Sequence, residues 1–212
     1  MGIITMTTAQ KILMTLGITL SLTACGTLYG TPEEEVTEYK DIRYTQETPI
    51  SLKVNRVDVT SEFTPTFTRP HVEHLLPVSV EKSAKLWAHD RLKASDFSSA
   101  KIAEVTIKDA SVVEELEPAS QIFEQDKIKY SAKLVMSVRV YDPATLAQAS
   151  TEVEAWRTLT IPANTDIATK ESYWNSMVEK LMTDFDTRMT SNINQYLNIF
   201  VDGTALEPSY WE

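Results

Sequence analysis

KIKYSAKLVMSVRVYD, residues 127–142, alternates without a break: Ile128, Tyr130, Ala132, Leu134, Met136, Val138 and Val140 are apolar, and the positions between them are mostly polar or charged. Successive side chains of a strand point to opposite faces, so this stretch predicts a long strand with one buried and one wet face. Sheets wet on one side are typically antiparallel, because parallel sheets are covered on both. DPAT, residues 142–145, then supplies a turn with proline at its second position. QASTEVEAWRTLTI, residues 148–161, returns with Ala149, Val153, Ala155, Leu159 and Ile161 on one face. The two segments read as neighbours in a meander.

An apolar sheet face needs a cover, and residues 170–200 provide one. Trp174, Met177, Val178, Leu181, Met182, Phe185, Met189, Ile193, Tyr196 and Phe200 recur at steps of three and four, with no glycine or proline among them. That predicts a helix about 45 Å long, its apolar stripe laid on the sheet. Upstream, KIAEVTIKDASVVEEL (101–116) reads as another strand, with Ala103, Val105 and Ile107 inward. Before it, Ser79 is a helix N-cap, and Val80, Ala84, Trp87, Ala88 and Leu92 carry helical spacing to about Ala94. ISLKVNRVDV (50–59) alternates, then slips by one residue near Asn55-Arg56, as a bulged strand does. The expected fold is α+β: a largely antiparallel sheet in a βαβββα order, with the long C-terminal helix on one face.

The amino-terminal end asks a different question. Cys25 is the only cysteine in 212 residues, so it has no partner for an internal disulfide. Residues 12–22, ILMTLGITLSL, form an apolar run as long as the core of a signal peptide and too short to span a bilayer. Leu22-Thr23-Ala24-Cys25 resembles the lipobox of bacterial lipoprotein signal peptides. That resemblance implies cleavage between Ala24 and Cys25, diacylglycerol on the Cys25 thiol and acylation of the new amino group. Several acyl chains hold a protein firmly where one binds marginally. Gly26 stands where an aspartate in such families favours inner-membrane retention, so the implied location is the periplasmic face of the outer membrane. The organisation expected is a leader over 1–24, lipidated Cys25 and an acidic tether over 25–48, one α+β domain over 49–201 and a tail over 202–212.

Formal net charge is −10, and the leader removes a lysine, Lys11, so the mature surface is more acidic still. Nucleic acid is therefore not an expected partner. With five glycines in the whole chain, no phosphate-cradling loop or nucleophile elbow is present, and no cofactor is expected. His71, Glu73 and His74 within RPHVEHLLP (69–77) are metal-capable, but His-x-x-His is not zincin spacing, Pro70 and Pro77 bracket it, and no metal site is assigned. That stretch reads instead as a surface loop with Leu75 and Leu76 plugging the core. Asp109, Glu114, Glu115 and Glu117 could hide a hydrolytic pair, which spacing alone cannot reveal. Tyr210 and Trp211, near the end of the tail, are candidates for a partner interface, where such residues are enriched.

VEHLLPVS, LWAHDRL, IKDASVVE and YWNSMVEKLMTDFD together resemble an uncharacterised family of alphaproteobacterial lipoproteins, over about residues 50 to 200. In element order alone, the chain is also similar to auxiliary lipoproteins of envelope lipid-transport systems. The expectation is a lipid-anchored binding or scaffold protein with envelope protein partners, not an enzyme. A periplasmic hydrolase using His71, Glu73 and His74 or unpaired carboxylates is one alternative. A self-assembling, homo-oligomeric structural component is another.

Overall fold

A computed structural model of the chain describes residues 38–121 and 124–203. The elements are β1 (Ile50–Leu52), β2 (Arg56–Ser61), α1 (Val80–Arg91), β3 (Leu92–Ala94), β4 (Ile102–Asp109), β5 (Val112–Glu117), β6 (Lys127–Tyr141), β7 (Gln148–Pro162) and α2 (Ile167–Tyr196). The protein is α+β, its main sheet mostly antiparallel, with the long helix α2 packed on one face.

β6 is the spine of that sheet. β4 and β5 lie end to end along one of its edges, paired from Ile102↔Tyr141 to Glu117↔Lys127. The single strand expected over 101–116 is thus two, interrupted where the register shifts after Ile107. β7 runs the full length of the other edge, from Gln148↔Tyr141 to Pro162↔Lys127. β2 joins β4 in parallel through the α1 crossover, the one parallel pairing in this sheet. The slip near Asn55 is a break rather than a bulge: β1 leaves the main sheet and pairs in parallel with β3, while Val201 bridges Leu52 on the other side. α1 stops at Arg91 rather than Ala94, because Leu92 turns to an extended backbone and lies opposite Ile50.

Alternation does what the sequence implies. Tyr130, Ala132, Leu134, Met136, Val138 and Val140 are buried on the helix side. They meet Trp174, Met177, Val178, Leu181, Met182, Phe185, Met189 and Ile193 of α2, whereas Tyr196 at the end of the stripe is 55% exposed. Each valine, leucine, isoleucine, methionine or phenylalanine among them contributes about 1.5–3 kcal/mol when fully buried. Two edge-to-face aromatic pairs fix the helices: Trp87 of α1 on Phe185 at 5.1 Å, and Trp174 on Tyr130 of β6 at 5.4 Å. Ser79 caps α1, its Oγ accepting from Lys82 N–H at 3.2 Å. Ser79→Ala should lower stability by about 1 kcal/mol, read as a shift in the midpoint of urea unfolding with unchanged slope.

Residues 38–49, which the sequence assigns to the end of the tether, lie along α1. Tyr39, Ile42 and Tyr44 pack on the core, Asp41 pairs with Lys82, and Arg43 grips Asp90. In the loop after β2, Val72, Leu76 and Val78 enter the core, while Leu75 is 47% exposed. Of the expected plugs Leu75 and Leu76, Leu76 enters the core and Leu75 does not, its place being taken by Val72 and Val78.

Candidate docking surface

Where each backbone group of β7 points follows from the pairings of its neighbours. Lys133 N–H bonds Ser111 O at 2.9 Å, so the odd-numbered residues of β6 face β4 and β5. Its even-numbered residues therefore face β7 and meet the odd-numbered residues of that strand, such as Leu134 opposite Ala155. Gln148, Ser150, Glu152, Glu154, Trp156, Thr158, Thr160 and Pro162 consequently present their backbone groups away from the sheet. Two contacts agree. Asn192 Nδ2 lies 3.5 Å from Glu152 O, and an Arg188 guanidinium nitrogen 3.4 Å from Glu154 O.

Those two α2 side chains shield the middle of the edge, beside a shallow cleft of about 420 Å³ lined by Glu152, Val153, Glu154, Thr187, Arg188, Ser191 and Asn192. The far end is closed differently: Pro162 has no N–H, and its carbonyl accepts from Thr165. Between these stops, the outward groups of Trp156, Thr158 and Thr160 have no hydrogen-bond partner among the described residues. Trp156 is 66% exposed on the wet face. Bare edges of high β-propensity are ordinarily blunted by charge, proline or cover, and among the described residues nothing covers the stretch from Trp156 to Thr160.

Charge on the wet face divides the same way. Over its first half, Lys108 pairs with Glu152 at 2.6 Å, Arg139 with Glu104, and Lys133 with Asp109 and Glu154 at 3.6 and 3.5 Å. Beyond Lys133 the β6 row continues with Lys129 and Lys127, which make no ion pair among the described residues. They lie across from Glu115 and Glu117 on one side and Thr160 and Pro162 on the other. Behind the edge, Arg157 pairs with Asp184 at 3.1 Å.

A second polar cluster sits between the helices. Asp186 accepts from Trp87 Nε1 at 2.7 Å and Arg91 Nε at 2.9 Å, while Arg91 also bonds Thr190 Oγ1 at 3.0 Å and the Thr48 carbonyl. Burial pushes the Tyr44 phenol up, Asp186 nearby adding to it. A cleft of about 550 Å³ opens beside Arg91 between Glu47–Ser51 and Val201–Gly203. Arg91 faces it already engaged with three partners, so the cluster reads as a clamp between helices.

At the strap, the Arg43 guanidinium bonds both Asp90 oxygens at 2.7 Å and, against the opposing effect of burial, holds the carboxyl down at about 2, with help from Tyr44 N–H. His89 Nδ1 lies 3.7 Å from the same carboxylate. A carboxyl with a depressed folded-state pKa stabilises above its unfolded value and loses that contribution as it protonates. Stability should therefore fall between about pH 4 and pH 2, and Asp90→Asn should flatten that part of the profile, measured by thermal unfolding across the pH series.

The histidine loop is anchored to the sheet through Glu73. Glu73, 7% exposed, accepts from Val112 N–H and Thr66 N–H at 3.3 Å each. His71 Nδ1 is 3.8 Å from Glu73, and His74 turns away to meet the Phe67 ring. Among the described residues, no three His, Cys, Asp or Glu side chains converge as metal ligands. Of the acidic run, Asp109 lies by Lys133 and Glu114 by Arg69, while Glu115 and Glu117 are on the wet face. Ala24, Cys25, Tyr210 and Trp211 lie outside the described residues. Sequence reading passed over Trp156, although the alternation that turns Ala155 inward puts its neighbour outside.

No family model matches the chain, and no curated protein matches it in sequence. Among solved structures it is similar to a minor lipoprotein from Acinetobacter baumannii, at 10% identity and a TM-score of 0.38, over 68% of this chain and 96% of that one. It is also similar to the rare lipoprotein B from Shewanella oneidensis, at 8% identity and a TM-score of 0.32, over 65% and 98% respectively. A Xanthomonas campestris protein of the DUF330 family matches at 11% identity and a TM-score of 0.35, over 74% of this chain and 95% of that one.

Proposed function

We propose that the chain is a lipid-anchored binding module of the bacterial envelope, held by Cys25 at the periplasmic face of the outer membrane, and that it serves as an assembly or transport auxiliary. The observation that carries the binding role is the contrast along β7: α2 shields Glu152 and Glu154, and the stretch from Trp156 to Thr160 is left bare beside an exposed tryptophan. The anchor rests on the apolar run ending in Leu22-Thr23-Ala24-Cys25. No helix among the described residues is long and apolar enough to cross a membrane, so on this reading acylation supplies the attachment.

The test uses the full chain in intact cells, with a photoreactive residue replacing Thr158 and, as a control, Leu146 at the β6–β7 turn. A defined protein adduct from position 158 and none from 146 supports the reading. Adducts equally abundant from both positions, or none from either, overturn it. Palmitate labelling of the native chain and of Cys25→Ala tests the anchor separately, the substituted chain being expected to lose the label and leave the membrane fraction.

A further inference from the structure

We infer that the bare stretch of β7 takes one more strand: an extended, acidic segment of a partner protein, paired by backbone hydrogen bonds with Trp156, Thr158 and Thr160. This rests on the binding role proposed above and names its ligand. Three outward N–H groups and three outward carbonyls lie in one row there, and each is a hydrogen-bonding group that an added strand satisfies without rearranging the sheet. The stops at either end set the length. Arg188 over Glu154 and the proline at 162 leave room for a segment of about five or six residues.

Side chains set the chemistry. On the wet face the added strand would lie next to Trp156, Thr158 and Thr160, with Lys133, Ser131 and Lys129 in the row behind. Lys129 lies across from Thr160 and Lys127 from Pro162, with Glu115 and Glu117 opposite them on the side away from the edge. These two lysines lack an ion pair among the described residues, on a chain whose formal charge is −10. An alternating segment with carboxylates on the wet face answers them. A basic segment would meet like charge in that row, as would a second copy, which brings its own lysine row.

The probe is a pair of capped six-residue peptides, one alternating glutamate and valine, the other lysine and valine, added to the full mature chain in detergent. Amide hydrogen exchange should slow at residues 156–160 with the acidic peptide, which should bind roughly tenfold more tightly than the basic one at low salt, the difference shrinking as salt screens it. Thr158→Pro deletes one outward donor and none of the ladder bonds, so it should abolish the protection while the thermal midpoint holds. If that variant unfolds, Lys129→Glu supplies the second test, expected to reverse the preference between peptides. Protection elsewhere, equal binding of both peptides, or Thr158→Pro binding undiminished would overturn the inference. So would sedimentation showing a dimer that Thr158→Pro dissolves. A cellular adduct from position 158 without acidic-peptide binding would leave the binding role standing and sink only the ligand assigned here.

Discussion

Phe185→Ala should lower the free energy of unfolding by about 3–5 kcal/mol, among the largest effects expected from a single core truncation. Phe185 is fully buried in the common core, and its ring meets Trp87 edge to face at 5.1 Å, so it joins α2 to α1. Truncation removes the ring's burial, its aromatic partner and the filling of a space that two helices and a sheet cannot easily close. Phe185→Leu should recover more than half of the loss, because it refills most of the volume. Equilibrium urea unfolding of both variants measures this. A Phe185→Ala cost below about 1 kcal/mol would mean that α1 is not seated on α2 as described.

Arg91→Leu should cost about 3 kcal/mol, at the lower end of what breaking a buried ion pair costs because Asp186 keeps some access to water. Arg91 is 6% exposed and gathers Asp186, Thr190 and the carbonyl of Thr48, tying α1, α2 and the amino-terminal strap in one place. The substitution leaves Asp186 as a carboxylate with only Trp87 and Thr190 to answer it. A compensating change, Asp186→Leu in the same chain, should return part of the stability, since the uncompensated charge is what costs most. Recovery of nothing would instead mean that losing the Thr48 contact accounts for most of the cost. Urea midpoints of the two single variants and the double variant form the cycle.

β6 could be read from its sequence because one periodicity carried both its structure and its environment: seven alternate positions were apolar, and six of them are buried on the side that α2 covers, Ile128 being partly so. α2 was readable for the same reason. β3 was not, since Leu92-Lys93-Ala94 are good helix formers that continue the pattern of α1, and only the pairing of Leu92 with Ile50 pulls them out of it. The break at Lys53–Asn55 looked like a bulge because local alternation cannot say that the two halves belong to different sheets. The bare edge of β7 was beyond the sequence altogether. Alternation tells which side chains face water, but which backbone edge stays unpaired depends on how many strands the sheet has and where α2 lies. Glu73 was visible as a metal-capable residue, yet its two backbone partners, one of them Val112, far along the chain, decide that it fastens a loop.

The short strand β1 has a consequence in time. It is held by β3 on one side and by Val201 on the other, with Asp202 N–H bonding Ser51 O and Lys53 N–H bonding Phe200 O. A chain emerging amino-terminus first delivers β1 near the start and its second partner near the end, so this small sheet is completed only after α2 has followed. Contacts so distant in sequence form late and slowly. Until α2 has formed, β1 has only its β3 partner, so the two sides of its lodging are separated in time by the whole of the main sheet.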